Sequence, residues 1–353
     1  MKNSLLLITQ AQYGSLIDYY QYSLHLKEKY QIEYICWDYN RLKVHTDGVK
    51  VHYVSRNGNL FKRNIRFTQA VLAIINSKSY DRVLVNYFRG CLVLPLILAR
   101  KSSFFLDIRT ASVSLSIINR FFYDFFLRFE CNFYNNLSVI SSGVKKRLRL
   151  PKRTTIIPLG ANYIDVKRTL KPGLQLLYVG TLSSRNIDQT IEGIYLFLQK
   201  HKNVNLSYTV IGVGDKQSTL KLQNVIEKYI LQDAVHLVGY VPHIELAAYY
   251  EQSNIGVSYV PITDYFSYQP VTKTFEYLMS GLPVIATSTV ENRLIINQGN
   301  GVLVEDNAKS FCEGLIKIYE LLQTYDGITI KQELKGYQWK NIALKLEKFL
   351  LNN

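Results

Sequence analysis

Residues 270–284, Pro270-Val271-Thr272-Lys273-Thr274-Phe275-Glu276-Tyr277-Leu278-Met279-Ser280-Gly281-Leu282-Pro283-Val284, carry most of the information in this chain. A proline suits the first turn of a helix, where its missing N–H costs nothing, and a glycine suits the stop. At 3.6 residues per turn, Val271, Phe275, Leu278 and Met279 share one face, and Lys273 and Glu276 lie opposite, about 60° apart. The apolar stripe predicts packing on a sheet. The short run Pro283 to Thr287 then predicts the next strand. One α/β unit of this kind places a free helix N-terminus, with its unpaired N–H groups and positive dipole end, beside a lysine and a glutamate. That combination suits a phosphate and a pair of vicinal hydroxyls. An ordinary solvated i,i+3 ion pair is the competing reading.

Reading outward, the same alternation recurs. Leu174 to Val179, Leu206 to Ile211, Val235 to Leu237, Ile255 to Val260 and Val302 to Val304 read as strands. Ile187 to Gln199, Gln217 to Tyr229, Ile244 to Gln252 and Ala308 to Leu322 read as helices. Strand and helix alternating at this spacing imply a parallel sheet covered by helices. Loops at the C-terminal ends of such strands are where ligands bind. Gly180-Thr181-Leu182-Ser183-Ser184-Arg185 is one such loop, and Gly212-Val213-Gly214-Asp215 another. Neither GxGxxG nor GxxxxGK[ST] occurs, which argues against a dinucleotide dehydrogenase and a Walker-type nucleotidase.

The first half repeats the theme less cleanly. Leu5 to Thr9, Ile32 to Trp37, Val83 to Tyr87, Phe104 to Ile108, Val139-Ile140 and Thr154 to Ile157 are expected strands. Ser15 is the expected N-cap of the first helix, and helices are expected near Asn64 to Ser77 and Cys91 to Arg100. Thr46-Asp47-Gly48 reads as the turn of a hairpin joining Lys43-Val44-His45 to Val49–Val54. Gly14 would let a phosphate or sugar approach the first helix closely. Tyr337 to Leu350 is an amphipathic helix. The domains are expected at 1–165 and 166–335, with residues 336–353 packing back on the first.

The 353 residues carry 42 Lys and Arg against 27 Asp and Glu, a net charge of +15, with 48% hydrophobic residues. Such a composition supports real cores and excludes a disordered polybasic tail. The charge is lopsided: residues 1–165 hold 24 basic and 10 acidic side chains, the rest 18 and 17. The basic half should meet something anionic, whether nucleic acid, a phosphate-bearing substrate or a membrane surface. Arg63 and Arg66 sit among aromatics in Leu60–Phe67, Arg120 in the run Arg120–Phe129, and Lys145, Lys146 and Arg147 form a cluster. These stretches read either as lipid-headgroup contacts or as core-facing aromatic helices with a solvated basic edge. Cys36, Cys91, Cys131 and Cys312 lie far apart in apolar contexts, so free buried thiols are expected rather than disulfides or zinc. No His pair has metal-ligand spacing. The leading Leu5–Thr9 run is too short for a signal-peptide core, and Cys91–Ala99 is well short of the ~20 residues that span a bilayer, so a cytoplasmic, at most peripheral, protein is expected.

Five motifs in order, LLYVGTLSSRNIDQTIEGI (176–194), YTVIGVGD (208–215), VHLVGYVPHIELAAYYEQSNIGVSYVP (235–261), PVTKTFEYLMSGLPVIATST (270–289) and GNGVLVEDN (299–307), closely resemble the C-terminal half of family 4 retaining glycosyltransferases. The resemblance runs from about Pro158 onward. It implies the GT-B fold, two Rossmann-like α/β/α domains facing a central cleft. It implies a nucleotide-diphosphate sugar as donor and a saccharide acceptor, polyprenyl-diphosphate-linked as in bacterial surface-polysaccharide assembly, at the inner face of the membrane. Nucleic acid is the least favoured partner.

By position, Glu276 matches the second Glu of the family's E-x7-E motif, the ribose contact. Position 268, where the motif has its first Glu, is Tyr268. The family's Gly-Arg-Leu-Ser loop is Gly180-Thr181-Leu182-Ser183, so its first diphosphate-binding Arg is absent. Arg185 takes the place of the second cation, and Lys273 replaces the lost charge. Val271 and Thr272 at the helix start and Gly212 complete the donor contacts, while Tyr240 and Val241 match the loop that holds the base. Asp107-Ile108-Arg109-Thr110 matches the loop where relatives place a His. There Asp107 is a candidate base or acceptor-orienting group and Arg109 a phosphate contact, with a structural Asp–Arg pair as the alternative. No Asp-x-Asp occurs, so a metal-independent reaction without cofactor is expected, with Arg185 and Lys273 stabilising the leaving group. A nucleotide-sugar epimerase of the same fold and a non-catalytic polyanion binder remain as rival readings.

Overall fold

A computed structural model describes residues 2–98, 102–164 and 172–352. It divides into two compact units, Met1–Gly160 with Trp339–Asn353, and Ala161–Gln338. The expected boundary at residues 165 and 166 lies outside the described residues.

The first unit runs β1 (Asn3–Ile8), α1 (Ile17–Leu26), β2 (Tyr30–Asp38), β3 (Val49–Ser55), α2 (Leu60–Ser77), β4 (Arg82–Asn86), α3 (Val93–Leu98), β5 (Ser103–Ile108), α4 (Ile117–Cys131), β6 (Asn136–Val139), α5 (Ser142–Arg147) and β7 (Thr155–Ile156). Its sheet has the order β3-β2-β1-β4-β5-β6-β7. Every pair is parallel. The interior strands are buried on both faces, which is why Leu5 to Ile8 and Val83 to Val85 read as continuous apolar runs.

Two local expectations fail here. Val49–Ser55 pairs parallel with β2, Ile32 opposite Val49, so Asp47-Gly48 turns the chain without making a hairpin. A turn signal is local, whereas strand direction depends on which neighbour has a free edge. The N-cap of α1 is Leu16 with no side-chain cap, not Ser15.

The helix α12 (Trp339–Leu351) belongs to this unit. Its apolar stripe, Trp339, Ile342, Ala343, Leu346, Phe349 and Leu350, is buried. Trp339 meets Tyr22 of α1 edge-on at 6.1 Å, and Phe349 meets Phe105 at 5.3 Å. Gly160 is needed beneath it, because a Cβ there would come within 2.6 Å of the Trp339 ring.

The second unit runs β8 (Leu174–Val179), α6 (Ile187–Lys200), β9 (Leu206–Ile211), α7 (Lys216–Lys228), β10 (Val235–Gly239), α8 (Leu246–Gln252), β11 (Ile255–Ser258), α9 (Thr272–Met279), β12 (Val284–Thr287), β13 (Gly301–Val304), α10 (Ala308–Leu321) and α11 (Gly327–Glu333). The sheet order is β10-β9-β8-β11-β12-β13, again all parallel. Leu176, Tyr208, Val257 and Ile285 from the strands pack with Ile191, Phe197, Phe311 and Leu315 from the helices. The helix α11 has no counterpart among the expected elements. Asp326 caps it, its carboxylate accepting from Ile328 N at 3.1 Å and Thr329 N at 3.0 Å.

All four cysteines are free and buried. Among the described residues no helix is long and apolar enough to cross a membrane.

Candidate active site

The strand order of the second unit brings the C-terminal ends of β8, β9 and β10 side by side, and backbone bonds zip the loops that leave them. Gly180 N donates to Ile211 O at 2.9 Å, Leu182 N to Val213 O at 3.0 Å, and Gly212 N to Gly239 O at 2.8 Å. Position 212 has room for glycine alone: its φ is +151°, and a Cβ would lie 1.7 Å from Gly180 O.

The loop from Gly180 to Asn186 is held in an unusual shape. Ser184 and Asn186 both adopt left-handed backbone, φ 57° and 53°. Non-glycine residues persist there only when their surroundings impose it. Ser183 Oγ bonds the Asp215 carboxylate and accepts from Asp215 N at 2.8 Å. Asp215 also caps α7 through Ser218 N at 2.8 Å. The Ser183 hydroxyl and the Ser218 bonds pull the Asp215 carboxyl down to about 2. The loop is thereby pinned to the start of α7, and Arg185 is carried on its far end. The Arg185 guanidinium lies 4.4 Å from the Phe266 ring centre, a cation–π contact with the segment that precedes α9.

The helix α9 begins at Thr272, two residues later than the proline suggests. Val271 is its N-cap, in extended backbone and without a capping side chain. Gly281, with φ +79°, ends it as expected. Phe275, Leu278 and Met279 are buried, whereas Lys273 and Glu276 lie on the other face and bond through Nζ and Oε2. Glu276 Oε2 also accepts from the Tyr250 hydroxyl of α8 at 3.0 Å. Burial, together with the neighbouring Glu276 charge, pushes the Tyr250 phenol well above its usual value, so it stays a donor.

The buried side of α9 is fixed by polar bonds as well as packing. Tyr277 Oη accepts from Val179 N at 2.8 Å, at the end of β8. Ser258 Oγ and Thr274 Oγ1 lie 2.6 Å apart, Thr274 donates to Asn292 Oδ1 at 3.0 Å, and Asn292 donates to Thr287 O at 2.9 Å. All four residues are buried. A fully satisfied network of this kind sets a single register for the helix. The Lys273–Glu276 face is therefore held in place by β8, β11 and β12 together.

The structure thus brings Gly180, Thr181 and Gly212 onto adjacent loops, links Arg185 through Phe266 to the segment holding Tyr268, and pairs Lys273 with Glu276 at the start of α9. Thr181 is exposed and Tyr268 half-buried. Tyr240 stands 75% exposed just after Gly239, with Val241 half-buried behind it. Tyr250, Phe266 and the Ser258–Thr274–Asn292 network are not legible in the sequence. Their importance comes from partners at sequence separations of 16 to 81 residues.

The first unit corrects several expectations. Asp107 is completely buried, and Oδ1 accepts from Ser138 Oγ at 2.7 Å. Arg109, 5% exposed, bonds Asp18 through Nη2, donates to Ile157 O at 2.7 Å, and lies 3.8 Å from Asp107. Burial raises the Asp107 carboxyl above its usual range, against the Arg109 charge. Both residues serve the fold, as a buried Asp18–Arg109–Asp107 cluster, rather than facing a ligand. Gly14 has the positive φ of a turn, +88°, but Val44 lies against it.

Most of the cations assigned to an acceptor or membrane are likewise engaged. Arg66 donates to Ser55 O and Asn57 O, and Arg63 lies over Trp37. Arg120 is buried, donating to Ser114 O at 2.7 Å. Lys145 donates to Thr154 O at 2.7 Å, and Arg147 pairs with Asp124 at 2.9 Å. Of that set Arg66 and Lys146 are exposed. Among the described residues no group of three or more His, Cys, Asp or Glu is placed to hold a metal ion.

Two parallel-sheet α/β units of this build are the GT-B architecture of glycosyltransferases, and solved structures bear this out. Sucrose-phosphate synthase from Thermosynechococcus elongatus superposes with a TM-score of 0.77 at 19% identity, over 98% of each chain. Anabaena Alr3699/HepE in complex with UDP-glucose gives 0.73 at 14%, over 99% of this chain and 100% of its own. The lipopolysaccharide outer core galactosyltransferase WaaB gives 0.72 at 14%, over 100% and 99%. At these identities the likeness is one of fold. No curated protein matches by sequence. Residues 173–321 match the family described as Glycosyl transferases group 1.

Proposed function

We infer that the protein transfers a sugar from a nucleoside-diphosphate sugar to a saccharide acceptor, with retention at the anomeric carbon. One observation carries this reading: Lys273 and Glu276 are paired on the polar face at the start of α9, and Arg185 packs on Phe266 of the segment that precedes that helix. Glu276 binds the ribose hydroxyls, as two vicinal O–H donors suit one carboxylate. The diphosphate lies toward Lys273, Arg185 and the N-terminal amides of α9.

Breaking the bond from the anomeric carbon to the diphosphate oxygen leaves the electron pair on the leaving group. Fixed cations and a helix N-terminus meet that charge without reorganising, which is often the largest catalytic contribution. Lys273 is bonded to Glu276, and in this reading it also meets the phosphate of the donor. Tyr268 faces the sugar where relatives of the resembling family carry a carboxylate. The acceptor we assign is a polyprenyl-diphosphate-linked saccharide on an anionic membrane, consistent with the +14 of residues 1–165.

The test is transfer of labelled sugar against a panel of donors, with Glu276→Ala beside it and nucleotide binding followed by calorimetry. The expected result is nucleotide binding and acceptor-dependent product, both lost in Glu276→Ala. Undiminished transfer by the variant overturns the site, and epimer released without acceptor overturns the reaction.

A further inference from the structure

The helix α4 is turned inside out. Of its fifteen residues it buries Arg120 and Glu130, and it exposes Ile117, Phe121, Phe122, Phe125, Phe126 and Phe129. Phe121 is 61% exposed and Ile117 71%. These positions recur at i, i+4, i+5, i+8, i+9 and i+12 and form one stripe. The rings pack on each other along it: Phe121 stacks on Phe125 at 6.3 Å, and Phe125 meets Phe126 edge-on at 5.6 Å.

The polar groups explain the inversion. Glu130 accepts from Gly90 N at 3.0 Å and Leu92 N at 3.3 Å, closing the open start of α3. Arg120 closes the carbonyls of Ser114 and Leu115. Asp124 accepts from Ser112 N at 2.9 Å and pairs with Arg147. The helix turns its charges inward onto backbone that would otherwise be unpaired, and its rings have nowhere to go but out. On α3, the helix whose start Glu130 closes, Leu96 and Ile97 are exposed too, both about 60%. A contiguous exposed aromatic surface of this kind on a stably folded unit marks an interaction site.

We propose that this face of α4 inserts into the headgroup region of an anionic lipid bilayer, and that its apolar rings, rather than the basic cluster, supply most of the binding. The charge around it selects the partner. Both carboxylates of α4 are engaged internally, while Arg89, 5.0 Å from the Phe126 ring, and Arg128 on α4 itself remain as a cationic rim. A second copy docking by two-fold symmetry would set this rim against itself. An anionic lipid surface meets the rim with opposite charge and takes the rings into its interfacial layer. This deepens the membrane part of the function proposed above, and it stands or falls by lipid binding alone, without reference to sugar transfer.

The experiment is vesicle flotation of the full chain with phosphatidylcholine alone and with added phosphatidylglycerol, at 0.05 and 0.5 M NaCl. The expected result is binding to the anionic vesicles that survives at high salt, where charge attraction is screened within a few ångström. Phe121→Ser with Phe125→Ser should lower the partition coefficient about tenfold or more at both salts. Lys146→Ser with Arg149→Ser should weaken it at low salt only. All four side chains are exposed, so folding is checked by an unchanged Tm. A Phe122→Trp variant gives a second readout, since the native Trp37 and Trp339 are buried. Its emission should shift to the blue on vesicles and be quenched by bromine-labelled lipid. Flotation of the wild type that vanishes at 0.5 M NaCl, or a serine pair that floats like wild type, overturns the proposal. So does a wild-type dimer that the serine pair turns into a monomer, without vesicle binding by either.

Discussion

The Tyr250 hydroxyl of α8 donates to Glu276 Oε2 at 3.0 Å, the same oxygen that Lys273 bonds. A phenol and an ammonium thus converge on one carboxylate oxygen and, in the proposed function, leave the other for the ribose. Tyr250 is a positioning residue: it fixes the carboxylate rather than meeting a ligand. Replacing it with Phe removes one hydrogen bond to a charged group, worth about 1.5–3 kcal/mol. Tyr250→Phe should therefore raise the donor KM roughly tenfold, with kcat within about twofold. Steady-state kinetics at saturating acceptor decides it, and an unchanged KM would remove Tyr250 from the site.

The two cations are expected to act on the leaving group rather than on donor affinity. Lys273→Met and Arg185→Met should each lower kcat by about 10²-fold, with smaller changes in KM, because the charge they meet grows only as the bond breaks. Single-turnover transfer measured with donor in excess separates the two effects. A variant that loses binding with kcat intact contradicts the assignment for that residue.

Arg109 is predicted to be a stability residue. Arg109→Met leaves Asp18 and Asp107 buried without their cation, and breaking a buried pair in this way costs about 3–5 kcal/mol. Urea denaturation should show the midpoint falling accordingly, with the slope unchanged. A variant as stable as wild type but unable to use acceptor would restore the ligand-binding reading of this loop.

The first unit also carries a pH dependence. Glu33 of β2 is buried, which alone would raise its carboxyl. Hydrogen bonds from His52 at 2.6 Å, Lys78 at 3.0 Å and Tyr80 outweigh that and hold it down at about 2. A folded-state value below the unfolded one gives stability that is complete above about pH 4.5 and is lost as pH falls from there toward 2. The loss should amount to about 2–3 kcal/mol, since each tenfold difference in proton affinity between folded and unfolded chain is worth about 1.4 kcal/mol. Glu33→Gln should flatten the stability profile across that window, as followed by denaturation from about pH 2.5 to about pH 6.

What could be read in the residues and what could not divides along a physical line. Leu174–Val179, Leu206–Ile211 and the helix at Ile187 are legible because apolar periodicity is a local property. So is the Lys273–Glu276 pair: any helix through residues 273 and 276 sets them side by side, whatever it packs on. The expected hairpin at Asp47-Gly48 shows the limit. The turn is real, but the direction of Val49–Ser55 is set by the open edge of β2.

The charged residues of the first unit show the same limit more sharply. Counting side chains gives residues 1–165 a charge of +14. It does not say that Arg109 is matched by Asp18, 91 residues earlier, or that Arg120, Lys145 and Arg147 close carbonyls and a carboxylate nearby. Periodicity gives α4 an apolar stripe and a polar one. Which stripe faces inward depends on where unpaired backbone groups lie, at Gly90, Leu92, Ser114 and Leu115. Short-range spacing was enough for the alternating α/β build, the family resemblance of residues 173–321 and the paired groups on α9. Strand direction, the fate of the basic residues and the outward turn of the α4 rings emerge only in the folded chain. A buried charge or an open backbone group takes its partner from wherever the fold supplies one, and that partner can lie a hundred residues away.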